Sequence, residues 1–369
     1  MKILITGAKG FVGKNLTAEL RNRSFEDIYE YDVDSDPALL EQFTKDCDFI
    51  FHLAGINRPK NEEEFMIGNY GFTTLLLSHL KRHGNKATIL LTSSIQAELD
   101  NAYGKSKKAG EDILLEYAAE TGSKALIYRL PNVFGKWCRP NYNSAVATFC
   151  YNIANGLEIT INEPKAIMNL VYIDDVVDEF IHTLEGKARE FGNYCTIPIV
   201  HSVALGKIAE LLYSYKESRN SLLIPDMSNE FEKKLYSTYL SYLPKDQFNY
   251  PLKMNIDDRG SFTEFIRTED RGQISVNISK PGITKGNHWH RTKNEKFLVV
   301  QGNGLIRFRK IDSDEIIDYH VTGNKLEVVD IPTGYAHCII NEGDTDLVTV
   351  MWANEVFDPK KPDTYYLEV

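Results

Sequence analysis

The chain has 369 residues, 43% of them hydrophobic and 25% charged, with a formal net charge of −10. That length predicts two domains, the composition is that of an ordinary globular protein, and the acidity argues against a general electrostatic grip on nucleic acid or anionic membrane. No apolar run approaches the roughly 20 residues of a membrane span, and Met1-Lys2 leads straight into a short apolar strand, so neither a span nor a signal peptide is expected and the chain reads as cytoplasmic. The five cysteines (Cys47, Cys138, Cys150, Cys195 and Cys338) are odd in number and never in Cys-x-x-Cys spacing, which argues against a disulfide framework or a cysteine-rich zinc site.

Lys2 to Thr6 predicts a short buried strand, and Val12, Leu16 and Leu20 form one stripe of a following helix. Between them runs Gly7-Ala8-Lys9-Gly10-Phe11-Val12-Gly13. Glycines at this spacing, between strand and helix, allow a tight turn and let the backbone approach a pyrophosphate at the helix N-terminus. A second strand is expected over Asp27 to Val33, placing Asp32 where a carboxylate can bond an adenosine ribose 2′-hydroxyl, a feature that favours NAD over NADP. A third runs from Cys47 through Leu53 and ends in Ala54-Gly55, small residues where a cofactor can pass; His52 within it reads as a packed core histidine.

A helix is expected over Tyr70 to His83, then a strand over Ala87 to Thr92 that delivers Ser93 and Ser94 at its C-terminal end. In parallel α/β sheets that end is where ligands bind. Tyr103 and Lys107 follow, four residues apart and so on one face of a helix. An ammonium beside a phenol favours the phenolate and makes the tyrosine a usable acid or base. This grouping suits carbonyl reduction, in which a proton must arrive with the hydride.

Gly7-x-x-Gly10-x-x-Gly13, His52-Leu53-Ala54-Gly55, Thr92-Ser93-Ser94 and Tyr103-x-x-x-Lys107 stand in the order of the extended short-chain dehydrogenase/reductases. Arg129-Leu130-Pro131-Asn132-Val133-Phe134-Gly135 and Val171-Tyr172-Ile173-Asp174-Asp175-Val176 extend that resemblance to about residue 240. The resemblance implies a Rossmann-type doubly wound parallel sheet and an enzyme acting on nucleotide-diphosphate sugars. It also implies Tyr103 as acid/base, Lys107 as its activator and a ribose ligand, and Ser94 as carbonyl orienter, with Ser93 the alternative. The expected cofactor site is Gly7, Lys9, Gly10, Phe11, Val12, Gly13, Asp32, Leu53, Ala54, Tyr103 and Lys107.

The pattern breaks at Leu243-Pro244-Lys245, dividing the chain into expected domains 1–244 and 245–369. Beyond the break Ile274–Ser279, Lys296–Gln301, Leu305–Ile311, Lys325–Ile331 and Leu347–Trp352 read as strands of an all-β barrel or jelly roll. His288 and His290, two apart on a strand, face one side; with Glu295 and His337 they make a donor set for zinc, iron, manganese or nickel. Gly282-x5-His288-x-His290-x4-Glu295-x6-Gly302 and Pro332-x-Gly334-x2-His337-x3-Asn341 resemble the two cupin motifs, apart from Leu326 where a glycine is usual. His320 fits neither motif and reads as a surface residue. Asp258-Arg259-Gly260-Ser261-Phe262-x-Glu264 is similar to the opening of cupin-type 4-keto-sugar epimerases.

Reductase and cupin in one chain suggest consecutive steps, because protons beside a ketone are acidic and C3 can be inverted before C4 is reduced. The domain order is similar to that of bacterial capsular-polysaccharide enzymes of UDP-N-acetyl-L-fucosamine synthesis. That resemblance implies NADPH (NADH being the alternative), with which Asp32 is in tension, and Zn2+ in the cupin, with Fe2+, Mn2+ or Ni2+ as alternatives; Lys9 is then a candidate 2′-phosphate contact or a solvated side chain. It further implies a UDP-sugar substrate reduced to UDP-2-acetamido-2,6-dideoxy-L-talose, and a homodimer. A cupin dioxygenase fused to a reductase, or a dinucleotide sensor with a sugar-binding barrel, are the competing readings.

Overall fold

The computed structural model describes Met1 to Val369 and divides into two compact units, Met1–Tyr213 with Met227–Pro244, and Ser214–Asp226 with Lys245–Val369. The segment Ser214–Asp226 therefore groups with the barrel. The backbone of Leu222 and Ile224 hydrogen-bonds that of Arg267, and Arg219 donates to the Gln247 carbonyl and lies 5.0 Å from the Tyr250 ring centre. No helix is long and apolar enough to cross a membrane.

In the first unit the strands β1 (Ile3–Thr6), β2 (Ile28–Tyr31), β3 (Phe49–His52), β4 (Thr88–Ser94) and β5 (Ala125–Leu130) run parallel in the order β2-β1-β3-β4-β5. Tyr194–Cys195 and Glu190–Phe191 continue the sheet beyond β5. Side chains alternate across a strand, so Ile3 and Ile5 meet Leu16, Leu20 and Phe180 on one face, while Leu4 meets Leu76, Leu80 and Leu114 on the other. Burial on both faces is what selects near-continuous apolar strands here, each fully buried Leu or Ile contributing about 1.5–3 kcal/mol. Strand order reverses between β1 and its neighbours β2 and β3. This switch point opens a crevice at the strand C-termini, and the glycine turn enters it on the way to α1 (Phe11–Asn22).

Three boundaries differ from the sequence expectation. Strand β2 is shorter, so Asp32 stands in the turn after it. Strand β4 is longer, because Ser93 and Ser94 pair with Arg129 and Leu130 of β5 and stay in the ladder. The helix expected over Tyr70–His83 is α-helical from Phe72, preceded by a π-helical stretch, Met66–Gly71, which carries the buried Asn69.

The two sheets of the second unit are antiparallel throughout. A six-stranded sheet runs Asn255–Asp257, Gly260–Arg267, Gln273–Ser279, Leu347–Ala353, Glu295–Gln301, Val328–Ile331; a five-stranded sheet runs Ile316–Thr322, Asn303–Lys310, Tyr335–Asn341, Thr284–Trp289, Tyr365–Tyr366. This is the cupin jelly-roll arrangement. Phe297, Val299, Ile306, Phe308, Ile339 and Leu347 fill part of the interior. The rest is polar: the inward positions of Gln273–Ser279 are Gln273, Ser275, Asn277 and Ser279, all buried. The strand expected to carry His288 and His290 is Thr284–Trp289, which ends one residue before His290.

Candidate active site and metal centre

The crevice of the first unit is a cleft of about 510 Å³ lined by Gly7, Lys9, Gly10, Phe11, Val12, Gly13, Leu53, Ser94, Tyr103 and Lys107 among others. Gly7 has φ +70, and a Cβ there would stand 2.8 Å from the Ala54 backbone nitrogen, so only glycine lets β1 turn this close to β3. Gly10 caps α1 without any side-chain bond, which leaves the first amides of the helix free to bind an anion.

Two residues expected at the cofactor lie outside the cleft lining. Ala54 packs against Gly7, with its amide 3.4 Å from the Thr6 hydroxyl. Asp32 accepts from the Lys9 amide at 2.7 Å and the Val33 amide at 2.8 Å, so both its oxygens already hold the turn. The Lys9 ammonium pairs with Asp34, and the pair is exposed. His52 is buried between the Thr6 and Thr73 hydroxyls at 2.7 and 2.9 Å, and burial pushes it down to about 3. It is a neutral core residue.

Tyr103 and Lys107 lie in the first turns of the helix Ala102–Thr121, capped by the Asn101 side chain accepting from the Gly104 amide at 2.7 Å. The two serines are sorted by the fold. Ser93 is buried and donates to Glu111, a fully buried carboxylate that also takes a bidentate Arg129 at 2.9 and 2.6 Å. Ser94 lines the cleft together with Tyr103, and its hydroxyl accepts from the Gln96 amide at 3.2 Å.

One electrostatic expectation is reversed. Burial raises the Tyr103 phenol, with the nearby Ser94 hydroxyl only partly offsetting it, so in the protein alone the residue is held as a phenol. The Lys107 ammonium donates to the Thr92 carbonyl at 3.0 Å and does not stabilise a phenolate; its own burial brings it down to about 8, against a smaller opposing effect of Glu111. Asn69, unnoticed in the sequence, lies close by: its side chain donates to Ser106 at 2.9 Å and accepts from the Ile56 amide at 2.9 Å. The signal was present in a lone polar residue amid a helical pattern, but the π turn that aims it is not readable from spacing.

In the second unit the donor atoms of His288, His290, Glu295 and His337 all lie within 4.8 Å of one another. Glu295 Oε2 is 3.5 Å from His290 Nε2 and 3.4 Å from His337 Nε2, and both nitrogens are buried with no hydrogen-bond partner. Buried polar atoms without partners are costly, and nitrogens converging on a carboxylate fit a divalent ion. Burial, reinforced by the two neighbouring imidazoles, lowers His288 to about 4 and keeps it neutral as a ligand must be. Burial alone would raise Glu295; the closeness of His290 and His337, with the Lys293 ammonium 3.0 Å from its other oxygen, outweighs it and holds the carboxylate well below its usual range. Gly286 has φ +110, and a Cβ there would meet Cys338 Cα and His337 O at 2.8 Å, so glycine sets the close approach of the strands bearing His288 and His337. His320 is exposed, 3.1 Å from Glu342.

A nucleotide-binding parallel sheet with a cleft at its switch point defines the class: residues 3–194 match the NAD dependent epimerase/dehydratase family, and the chain belongs to that family. Residues 255–365 match the polysaccharide biosynthesis C-terminal domain. The particular likenesses span both units. The chain is 45% identical over its whole length to the UDP-2-acetamido-2,6-beta-L-arabino-hexul-4-ose reductase of Pseudomonas aeruginosa, covering 99% of that protein. It is 58% identical, over 100% of both chains and with a TM-score of 0.96, to the crystal structure of the capsular polysaccharide assembling protein CapF from Staphylococcus aureus. UDP-glucuronate 4-epimerase 3 of Arabidopsis thaliana is 26% identical, across 60% of this chain and 67% of its own.

Proposed function

We propose that the protein is a bifunctional nucleotide-sugar enzyme of capsular polysaccharide synthesis. The barrel inverts C3 of a UDP-2-acetamido-2,6-dideoxy-4-hexulose, and the first unit reduces the C4 ketone with NADPH to UDP-2-acetamido-2,6-dideoxy-L-talose, on the route to UDP-N-acetyl-L-fucosamine. One observation carries this reading: a cleft holding Ser94, Tyr103 and Lys107 and a four-donor cluster in a polar-walled barrel occur in one chain whose full-length relative is a UDP-hexulose reductase. A homodimer is part of the same reading.

In the first unit the open amides of α1 hold the pyrophosphate, and Lys107 holds the ribose. NADPH, when bound, supplies the hydride to C4. Ser94 orients the C4 oxygen, and the Tyr103 phenol gives that oxygen its proton; burial suits the step by keeping the proton on the phenol until the oxygen turns basic. In the barrel His288, His290, Glu295 and His337 would hold zinc, a Lewis acid toward a ketone oxygen. The polar wall of Ser275 and Asn277 faces the same cleft and offers hydrogen bonds to a sugar. Removal of the C3 proton and its return on the opposite face leave the redox state unchanged, so the barrel's step needs no hydride.

The test is to incubate the protein with that 4-keto sugar and NADPH, following nicotinamide absorbance and identifying the product. Formation of the talo sugar is expected; no oxidation of cofactor with this substrate would remove the reading. Cofactor choice has its own check. Lys9→Ala should raise KM for NADPH about tenfold, the worth of one charge-assisted bond, with KM for NADH unchanged. Equal KM values for wild type and variant with NADPH would leave Lys9 as the surface partner of Asp34.

A pH dependence follows from the buried lysine. Lys107 is an ammonium below about 8 and a neutral amine above it. Because kcat/KM reports groups of the free enzyme, kcat/KM for reduction should fall as pH rises through that value. Lys107→Arg, which stays charged, should move the decline upward. A wild-type profile flat to about pH 10, the range of an ordinary lysine, would separate the ammonium from catalysis.

A further inference from the structure

The four metal donors do not stand by themselves. His288 is the next-to-last residue of the strand Thr284–Trp289, and His290 follows directly after it. On one side that strand pairs with Tyr335–Asn341, which brings His288 opposite His337. On its other side the neighbour is the end of the chain: Tyr366 pairs with His288 and Tyr365 with Trp289, and the Leu367 amide donates to the Asn287 carbonyl at 3.0 Å. The Trp289 and Tyr365 rings lie 4.9 Å apart, and the Arg291 guanidinium lies 4.7 Å from the Tyr365 ring centre.

Asp363 does more than begin this strand. Its carboxylate accepts from three consecutive amides, Arg291 at 3.1 Å, Thr292 at 2.8 Å and Lys293 at 2.8 Å, and from the Thr292 hydroxyl at 3.2 Å. Those residues are the turn between His290 and Glu295. The backbone carbonyl of the same residue accepts from His290 Nδ1, 73 positions away in the chain. A proton held on Nδ1 leaves Nε2 as the lone-pair donor, and Nε2 is the atom that has no other partner.

We propose that the carboxyl-terminal segment 363–369 is part of the metal centre, with Asp363 as the positioning residue that fixes both the His290 tautomer and the turn joining His290 to Glu295. The inference rests on the ligand reading above and goes beyond it, since it assigns the site's geometry to residues that no ligand motif contains. Loss of the Asp363 carboxylate frees the turn amides of Arg291, Thr292 and Lys293 and unpins the segment whose backbone carbonyl holds His290 Nδ1, while that carbonyl and every donor atom remain present.

The experiment compares full-length wild type, Asp363→Ala and Asp363→Asn. Zinc affinity is measured by competition with a chromophoric chelator, and the visible spectrum of the cobalt(II)-loaded protein reports the geometry of the donor set. Asp363→Ala, which keeps the carbonyl and loses its anchor, should bind zinc about 10–100-fold more weakly, the usual cost of disturbing the groups that orient a ligand, and show an altered cobalt spectrum. Asp363→Asn keeps an acceptor oxygen and should recover part of both. Wild-type affinity and an unchanged spectrum in Asp363→Ala would overturn the proposal. Should that variant fail to fold, wild-type affinity in Asp363→Asn does the same. A wild type that binds neither ion overturns the ligand reading, and this inference with it.

Discussion

Tyr103→Phe is expected to lower ketone reduction by about 10²-fold or more, the usual contribution of a general acid, while NADPH binding stays close to wild type. The substitution removes one oxygen. The ring keeps its place in the first turn of its helix and its contact with Phe65, whose ring centre lies 5.5 Å away. What is lost is the hydroxyl proposed as proton donor to the C4 oxygen, beside Ser94 in the cleft. The measurement is single-turnover oxidation of NADPH with the 4-keto sugar, alongside cofactor titration by fluorescence. Turnover equal to wild type would take Tyr103 out of the mechanism. The same variant should exchange C3 hydrogen with solvent at the wild-type rate, because its defect lies in the reductase chemistry.

His290→Ala is expected to do the reverse. It removes one of four donors and the only side chain that bonds the Asp363 carbonyl, so stoichiometric zinc should be lost. A metal ion polarising a carbonyl supplies several kcal/mol to the transition state, and at 1.36 kcal/mol per decade its loss should slow C3 exchange by about 10²-fold or more. The assay is enzyme and 4-keto sugar in D₂O with NADPH left out, reading deuterium at C3. Wild type should incorporate deuterium without any nicotinamide; His290→Ala should not, yet should still bind NADPH, since the Rossmann sheet has its own core. Exchange that appears only when NADPH is present, or that survives in His290→Ala, would leave the barrel without the epimerase role.

The chain's own order already determined a good deal: a strand–glycine–helix start, a tyrosine and lysine one helical turn apart, a β-rich second half and four metal donors in two short motifs. These were legible because covalent spacing alone puts such residues on one face, one turn or one strand side. Tertiary structure decided the rest, because those choices depend on which distant groups claim a side chain first. Glu111, held by Arg129, claims Ser93 and leaves Ser94 to the cleft. Thr92 claims the Lys107 ammonium, and burial holds Tyr103 as a phenol where spacing had suggested phenolate. Asp34 claims Lys9, and the turn amides claim Asp32, so neither residue settles the cofactor from sequence. Asp363 looked like an ordinary polar residue near a chain end. It meets His290 only because the final strand pairs beside Trp289, a contact set by sheet register across 73 positions, which no local pattern encodes.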